Sequence, residues 1–373
     1  MKRLFTPGPL NTSETVKRAM LTDVGSRDIE FIDAVKEIRA KLLQIGNVSP
    51  TEFSTVIIQG SGTFGIESVI KSSIKEGDKL LILINGAYGE RILRIANIHN
   101  IPTEIIRFNE NEIIDAEIVK TVLETKQDIS HVAVVHCETT TGLMNPIQEI
   151  GTLCAQFEKT YIVDAMSSFG GVTIDINKCK IDFLVSSSNK CIEGVPGFSF
   201  AICKIVKLND CKGKAKTLTL DLYEQWLGLE TSGQFRFTPP TLAIMAFNQA
   251  IDELIEEGGV EAREKRYQNN QKVLLAGTSK LGLKEYLPKE IQGHIINSFL
   301  YPEDVNFNFE HFYNKLNDRN CVIYPGKLSK VNAFRIGNIG QLFEEDMKYL
   351  VSCMSEIFQE ENTIISYEVT SKG

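Results

Sequence analysis

The stretch Ile181-Asp182-Phe183-Leu184-Val185-Ser186-Ser187-Ser188-Asn189-Lys190 places a lysine directly after a short apolar run that is typical of a buried strand. Upstream, the strand-like Tyr161-Ile162-Val163 ends on Asp164. A lysine held among hydroxyl groups and glycines can lose its proton and form a Schiff base with an aldehyde, and a buried aspartate can keep a pyridinium nitrogen protonated. We therefore predict pyridoxal phosphate (PLP) chemistry, with Lys190 and Asp164 as catalytic residues and Asn189 as a cofactor contact. The alternatives are a solvated surface lysine and an aspartate that caps the next segment.

The composition indicates a large globular protein without a basic surface. The 373 residues are 43% hydrophobic, and at roughly 150 residues per domain this length predicts about two domains. The formal charge of -8 and the pI near 5.4 argue against nucleic acid or an anionic membrane as a partner. No apolar stretch approaches the roughly 18 residues of a membrane span, and residues 1–9 leave no room for an apolar signal core. We therefore expect a cytoplasmic protein.

The cysteines and histidines show no metal-binding or disulfide pattern. The eight cysteines are scattered singly without a CxxC pair, and the five histidines form no HExxH motif. Neither a disulfide framework nor a zinc site is predicted from such spacing. We expect reduced thiols and no bound metal.

Short β-rich runs alternate with helical patterns through the first part of the chain. Residues 55–59 are followed by a helical pattern at 65–75, and residues 79–84 by one at 88–97. This alternation predicts βαβ units and a mostly parallel central sheet, in a large α/β domain over residues 15–245. Later strands and a final amphipathic helix predict a smaller C-terminal α+β domain over residues 246–373. We expect the N-terminal arm, residues 1–14, to associate with this smaller domain.

A glycine-rich loop, Gly60-Ser61-Gly62-Thr63-Phe64-Gly65, follows a predicted strand and opens a helix. Its backbone amides and the helix N-terminus can bind an anion. The loop matches GxGxxG, but the next strand ends on Asn85-Gly86 rather than on the acidic residue that binds the ribose of a dinucleotide. We therefore assign Ser61, Gly62 and Thr63 to a single phosphate group. A simple tight turn is the alternative.

An aromatic residue follows the next predicted strand, at the carboxyl edge of the sheet where ligands bind in open α/β folds. Tyr88 stands between glycines in Asn85-Gly86-Ala87-Tyr88-Gly89. We predict that its ring stacks on the cofactor ring. The alternative is a turn tyrosine that packs on its own helix.

Three threonines follow another buried-looking strand, in Glu138-Thr139-Thr140-Thr141-Gly142. A hydroxyl group at this edge can hydrogen-bond the phenolic oxygen of the cofactor ring. We predict that Thr140 makes this contact, and Thr139 and Thr141 remain open. Threonine capping of a helix or turn is the alternative.

These motifs together resemble, in order along nearly the whole chain, the class V aminotransferases of PLP fold type I. The matching segments are Thr6-Pro7-Gly8-Pro9, Gly60-Ser61-Gly62-Thr63, Asn85 to Arg91, Thr139 to Gly142, Val163 to Ser168, Ser188-Asn189-Lys190 and Phe334-Arg335-Ile336-Gly337. The resemblance implies a homodimer whose neighbouring chain offers Thr238 to the cofactor phosphate. It also implies that Arg335 grips the acidic group of an amino or oxo acid, which suits a guanidinium because it binds carboxylate in a bidentate fork. A surface ion pair is the alternative for Arg335.

Within this family, residues 136–142, 164–171 and 187–198 are most similar to the branch that transfers an amino group from 2-aminoethylphosphonate to pyruvate. This similarity implies ping-pong transamination in phosphonate degradation, with phosphonoacetaldehyde and L-alanine as products and Lys190 as the proton carrier. A phosphonate should need a second cation besides Arg335. We predict Arg27 for this role, with Arg91 behind it, although Arg27-Asp28 could be a local ion pair.

Other functions remain as alternatives. An alanine or serine:glyoxylate aminotransferase would share the cofactor residues and differ only in the substrate pocket. A cysteine desulfurase is less compatible, because that branch carries histidines where Asn189 and Tyr88 stand here. A non-catalytic PLP-binding regulator could retain the same fold, since a fold does not prove turnover.

Overall fold

The computed structural model describes residues 2–304, 307–326, 331–363 and the single residues 328, 365 and 367. Its strands are β1 (Arg3–Leu4), β2 (Phe53–Gln59), β3 (Lys79–Ile84), β4 (Thr103–Arg107), β5 (Ile129–Val135), β6 (Cys137–Glu138), β7 (Leu143–Met144), β8 (Thr160–Asp164), β9 (Phe183–Ser187), β10 (Phe198–Lys204), β11 (Ile296–Leu300), β12 (Cys321–Val322), β13 (Tyr324–Pro325) and β14 (Ala333–Gly337). Its helices are α1 (Glu14–Arg18), α2 (Ile29–Ile45), α3 (Gly62–Ser73), α4 (Ala87–Ile98), α5 (Ala116–Thr125), α6 (Ile147–Gln156), α7 (Ile205–Asn209), α8 (Leu222–Ser232), α9 (Thr241–Glu256), α10 (Gly259–Lys280), α11 (Phe309–Asp318) and α12 (Glu344–Glu360).

A seven-stranded sheet in the order β2-β10-β9-β8-β5-β3-β4 forms the centre of the larger part of the molecule. Only β10 runs antiparallel to its neighbours among these described strands, and the other adjacent pairs are parallel. Helices cover the sheet, so its central strands are buried throughout and read as continuous apolar runs such as that of β3. The predicted α/β class with a mostly parallel central sheet is confirmed.

Two hydrophobic cores divide the chain. The larger core surrounds the seven-stranded sheet and extends to Leu254 in α9. The smaller core gathers residues from α10 to α12 around the β11-β14-β13 sheet and includes Phe5. Because α9 packs with the first core, we propose that the domain boundary lies between α9 and α10 rather than between residues 245 and 246.

The N-terminal arm packs on the smaller part of the molecule. Strand β1 pairs in parallel with β12, and the N–H of Phe5 donates to the carbonyl of Val322 at 2.9 Å. The arm then turns back towards the central sheet at Thr6-Pro7-Gly8-Pro9. It therefore runs between the two cores, directly over the carboxyl edge of the central sheet.

The described part of the chain was searched for membrane-spanning helices, disulfides and metal-binding clusters. No helix there is both long and apolar enough to cross a membrane. All eight cysteines are buried and free of disulfides. No group of three or more His, Cys, Asp or Glu side chains in that part is arranged to hold a metal ion.

Candidate active site

A cavity of about 210 Å³ opens at the carboxyl edge of the central sheet. Four strands end there, and each is followed by a polar segment that faces the opening. The residues predicted from the sequence that line this cavity are Ser61, Gly62, Thr63, Tyr88, Asp164, Asn189 and Lys190. The parallel strands bring these side chains together because their carboxyl ends share one edge of the sheet.

The phosphate loop lies at the N-terminus of α3, which begins at Gly62. Ser61 is the N-cap residue, but its side chain makes no capping hydrogen bond. A Cβ atom at Gly62 would meet the side chain of Met166, so any other residue there would displace that side chain. The loop thus presents a helix N-terminus and an uncommitted hydroxyl group to the cavity, which is the chemistry that binds phosphate.

Lys190 extends from the turn after β9 into the cavity. Its Nζ donates to the carbonyl oxygen of Pro7 in the N-terminal arm at 2.6 Å. A Cβ atom at Gly8, whose φ is +112°, would lie 2.7 Å from Cδ of Lys190. Burial lowers the pKa of the Lys190 amine from 10.5 to about 8. The lysine is therefore far more often uncharged near neutral pH than a surface lysine, as a nucleophilic amine must be.

Asp164 ends β8 and is buried. One carboxylate oxygen accepts from the N–H of Met166 at 2.9 Å, and burial raises the pKa of the carboxyl group to about 6. Across the cavity, the guanidinium carbon of Arg91 lies 4.7 Å from the centre of the Tyr88 ring, and Arg91 Nη1 donates to the hydroxyl of Thr63 at 3.2 Å. Arg91 thus joins the predicted stacking residue to the phosphate loop.

Glu138 is a buried carboxyl group beside Tyr88 and Thr140, and no role was predicted for it from the sequence. Its Oε2 accepts from the N–H of Tyr88 at 3.1 Å, and its Oε1 accepts from the hydroxyl of Thr140 at 2.6 Å. A Cβ atom at Gly86 would lie 2.2 Å from Cγ of Glu138. Burial raises the pKa of this carboxyl group to about 7. The signal in the sequence is an acidic residue three positions after the end of the apolar strand β5.

The three threonines after Glu138 differ in what their hydroxyl groups contact. Thr140 donates to Glu138 and accepts from the N–H of Ala87 at 3.2 Å. Thr141 donates to the carbonyl of Glu138 at 3.3 Å. The buried hydroxyl of Thr139 has no partner. Thr139 is thus the only one of the three, among the described residues, whose hydroxyl is free for a ligand, and which of them contacts the ring oxygen stays a prediction.

Arg335 lies in the middle of β14 and is 2% exposed. Its Nη1 donates to the carbonyl of Thr139 at 2.7 Å, and its Nε donates to the carbonyl of Pro325 at 3.0 Å. Among the described residues it forms no salt bridge, and burial lowers the pKa of its guanidinium. A buried arginine held only by carbonyl oxygens is suited to an incoming acid group, which argues against the surface ion pair.

The cavity is not lined by four of the predicted site residues: Thr140, Arg335, Arg27 and Thr238. Arg27 and Thr238 line a separate surface cleft of about 400 Å³. The carboxylate of Asp28 accepts from the N–H of Gly25 at 2.6 Å, and no ion pair between Arg27 and Asp28 is found in the described residues. The arginine that lines the cavity is instead Arg91. Contact of Thr238 with the cofactor of a neighbouring chain, which the resemblance implied, stays a prediction.

The lining residues fit a phosphorylated pyridine aldehyde. A phosphate can lie on the N-terminus of α3, an amine of lowered pKa is available to an aldehyde, and a buried carboxyl group can pair with a ring nitrogen. The unpartnered hydroxyl groups of Thr139 and Ser187 are further polar contacts that a bound group could satisfy.

Comparison with known proteins agrees with this reading. The family model "Aminotransferase class-V" matches residues 12–323. The 2-aminoethylphosphonate–pyruvate transaminase of Bacillus cytotoxicus is 49% identical over 354 residues, which cover 95% of this chain and 97% of that protein. The transaminase of the same name from Phocaeicola vulgatus is 48% identical over 356 residues, with coverage of 95% and 98%.

Solved structures show the same fold at lower identity. The ureidoglycine-glyoxylate aminotransferase of Bacillus subtilis superposes with a TM-score of 0.90 at 22% identity, covering 98% of this chain and 95% of that one. The alanine–glyoxylate aminotransferase of a Nostoc species superposes with a TM-score of 0.89 at 25% identity, with coverage of 96% and 95%. The fold, the cavity and the extent of the family match lead to one conclusion: the chain belongs to the class V aminotransferase family.

Proposed function

We propose that this protein is a PLP-dependent transaminase that moves the amino group of 2-aminoethylphosphonate to pyruvate, producing phosphonoacetaldehyde and L-alanine. The observation that carries the proposal is the similarity to transaminases of that name, at 48–49% identity over 95% of the chain. PLP is the cofactor that the family implies. When bound, it supplies the electron-accepting ring that transamination requires.

Each polar residue of the cavity has a separate role in the proposed reaction. The α3 N-terminus with Ser61 and Thr63 binds the cofactor phosphate, and Tyr88 supports the ring. Asp164 keeps the ring nitrogen protonated. Lys190, with its pKa lowered to about 8, can accept a proton from the substrate carbon and return it, because its amine titrates close to neutral pH. A single lysine in this role makes a histidine base unnecessary.

Recognition of both substrates depends on a common cation. We propose that Arg335 binds the phosphonate of the donor and the carboxylate of pyruvate in turn, because both are anions that a guanidinium fork can hold. The phosphonate carries up to one charge more than the carboxylate and should engage a second cation. Arg91, which lines the cavity, is the candidate within the chain, and Arg27 is the candidate from a second chain.

We further propose a cytoplasmic homodimer. In such a dimer the cleft that contains Thr238 and Arg27 would face the cavity of the partner. This is supported by the position of Thr238, which lies outside the cavity of its own chain. Light scattering tests the proposal, because a fully active monomer would exclude it.

A screen of amino donors against pyruvate, with alanine as the readout, tests the proposed substrates. With pyruvate as the acceptor, 2-aminoethylphosphonate should give alanine at a higher kcat/KM than serine or other amino donors do. A Lys190→Met protein is the matched control and should give none. Preference for glyoxylate, without use of the phosphonate, would move the protein to the glyoxylate-dependent branch represented by the structural neighbours.

The covalent site can be tested separately. Borohydride reduction of the holoenzyme should attach the cofactor to Lys190, which peptide mass spectrometry can locate. Attachment to another lysine would contradict the assignment of the site. No attachment at all would remove Lys190 as the cofactor-binding lysine.

A further inference from the structure

A buried ion cluster connects the Lys190 turn to helix α10. Glu193 and Arg263 are each 1% exposed, and Arg266 and Glu257 complete the cluster. Two guanidinium groups face two carboxylates, so the cluster has no net charge. The cluster lies behind the Lys190 turn, and its charged groups already have partners within the protein. Contact with substrate or cofactor therefore does not explain it.

Glu193 is fixed to the Lys190 turn through its backbone. Its N–H donates to the carbonyl of Lys190 at 2.7 Å, and its φ of 64° is unusual for a residue with a side chain. Its carboxylate accepts from Arg266 Nη2 at 2.8 Å, from the hydroxyl of Tyr267 at 2.5 Å and from Gln341 Nε2 at 2.7 Å. One buried side chain thus ties the turn to two other parts of the molecule.

The far end of this connection is the loop that follows β14, residues 338–342. Gln341 belongs to this loop, and Arg266 Nη1 donates to the carbonyl of Gly340 at 2.7 Å. The N–H of Gln341 donates to the carbonyl of Asn11 in the N-terminal arm at 2.9 Å. This loop directly continues β14, the strand that carries Arg335. The position of the loop and the position of the acid-binding group are therefore linked through the backbone.

Apolar packing supports the same interface. A small buried cluster joins the N-terminal arm, the Lys190 turn, α10 and the loop after β14 through Leu10, Cys191, Tyr267 and Ile339, and it also includes Cys137 of β6 and Ile295 just before β11. A second polar link runs parallel to Glu193, because Arg263 Nη1 donates to the carbonyl of Cys191 at 2.7 Å. The turn is therefore held from behind by both directional and apolar contacts.

We propose that Glu193 is a positioning residue that couples the placement of Lys190 to the placement of Arg335 on the smaller domain. A buried ion cluster seldom stabilises a protein more than apolar side chains of the same volume would, so stability alone is a weak reason for it. The Glu193 carboxylate instead makes directional hydrogen bonds to three donors, which fix one arrangement of the Lys190 turn, α10 and the loop after β14. A shift of the smaller domain when an acid group binds to Arg335 would therefore change the position of Lys190 through Glu193.

The inference rests on the proposed function, because it takes Lys190 as the cofactor-binding lysine and Arg335 as the acid-binding arginine. The test compares three variants of the holoenzyme. Glu193→Gln keeps the size of the side chain but cannot accept from all three donors. Gln341→Met removes the direct hydrogen bond from the loop to the Glu193 carboxylate, and it leaves the arginines paired and Arg266 bonded to the carbonyl of Gly340. Glu257→Gln is the matched control, because it takes one carboxylate from the same two arginines without touching the Lys190 turn.

Hydrogen exchange measured by mass spectrometry gives a readout that does not depend on turnover. Saturating ethylphosphonate, an unreactive anion, should slow exchange in residues 333–337 and also in residues 191–194 of the wild type. In Glu193→Gln and in Gln341→Met the protection should remain in residues 333–337 and be lost in residues 191–194. Glu257→Gln should behave as the wild type does, even if its melting temperature falls. If Glu193→Gln fails to fold, the Gln341→Met result decides.

Single-turnover kinetics with 2-aminoethylphosphonate complete the test. Glu193→Gln should lower the saturating rate at least about tenfold, equivalent to about 1.4 kcal/mol in the barrier, while Glu257→Gln should stay within about twofold of the wild type. Equal losses in both variants would reduce the cluster to a structural role and overturn the inference. Wild-type protection confined to residues 333–337 would also overturn it, but would leave the proposed function intact. No protection in residues 333–337 would remove the role of Arg335 and the inference together.

Discussion

Replacement of Lys190 by methionine should stabilise the protein once the cofactor has been removed. The amine has a pKa of about 8 in the folded chain, against an ordinary value of 10.5, chiefly because burial disfavours the charged form. Below pH 8 the lysine is charged in both the folded and the unfolded states, so the folded state carries the whole cost of burying that charge. Methionine has a similar length and carries no charge.

The size of the effect follows from the two pKa values and one hydrogen bond. The gap between 10.5 and about 8 corresponds to roughly 3 kcal/mol in favour of the variant. The variant also loses the hydrogen bond from Nζ to the carbonyl of Pro7, which costs about 1 kcal/mol. We therefore expect a net gain of about 2 kcal/mol in the free energy of unfolding at pH 7.

The gain should depend on pH in one direction. Between pH 8 and 10.5 the folded wild type has lost the lysine proton while the unfolded chain still holds it, so wild-type stability rises with pH. The advantage of Lys190→Met should therefore shrink through this window and disappear near pH 10, where the remaining charge contribution only offsets the lost hydrogen bond of about 1 kcal/mol. Urea unfolding of the two apoproteins at pH 7 and pH 10 measures it. Exposed Lys212, replaced by methionine, is the control and should show no such window.

A result that contradicts this reasoning is easily recognised. If Lys190→Met is no more stable than the wild type at pH 7, the amine is not held in a desolvated state. If the difference is constant from pH 7 to pH 10, it arises from packing rather than from charge. Either outcome would also remove the physical basis for the amine as a proton carrier near neutral pH.

Three further outcomes are expected from the same cavity. Asp164→Asn should retain the cofactor but slow the half-reaction at least about 100-fold in stopped-flow measurements, because an amide cannot hold the proton on a ring nitrogen. A rate near that of the wild type would make Asp164 a capping residue. Thr139→Val should weaken cofactor affinity about fivefold by removing one hydrogen bond. Thr140→Val should instead destabilise the apoprotein by about 1–3 kcal/mol by removing the hydroxyl group that donates to Oε1 of the buried Glu138, and the reverse pattern would support Thr140 as the ring contact. Calorimetry of the apoprotein should show that its stability falls as the pH rises from about 4 to 7. The reason is that burial raises the folded pKa values of Asp164, to about 6, and of Glu138, to about 7, above those of the unfolded chain. A stability that rises with pH would show that other carboxyl groups dominate.

The sequence predicted the large domain well because its signals are local. Alternating apolar runs and amphipathic helices predicted β2 with α3 and β3 with α4 to within a few residues of their observed bounds. The antiparallel direction of β10 was not predicted, since an apolar strand reads the same in either direction. The boundary at 245/246 interrupts α9, because hydrophobic periodicity marks the face of a helix but not which of two cores it joins.

The same distinction between local and long-range signals separates the polar residues of the site that were predicted from those that were not. The residues of the phosphate loop, Tyr88, Asp164 and Lys190 each stand at the end of a strand, so local pattern and chain order were enough to bring them together. Glu138, the carbonyl of Pro7 and the Glu193 cluster depend on contacts between segments far apart in the chain. Pro7 meets Lys190 across 183 positions, and Thr139 meets Arg335 across 196. No local pattern predicts such pairs.

The same contacts explain why the cavity is a costly arrangement for the isolated chain. Lys190, Asp164 and Glu138 are each held where burial opposes the charged form, and Thr139 is buried without a hydrogen-bond partner. A fold selected only for stability would replace these groups with apolar ones, because each costs free energy that packing elsewhere must offset. Their retention around one opening is what function requires. It follows that ligand binding at this site should raise the free energy of unfolding by more than the contacts of the ligand alone suggest, because it also supplies partners for groups that have none.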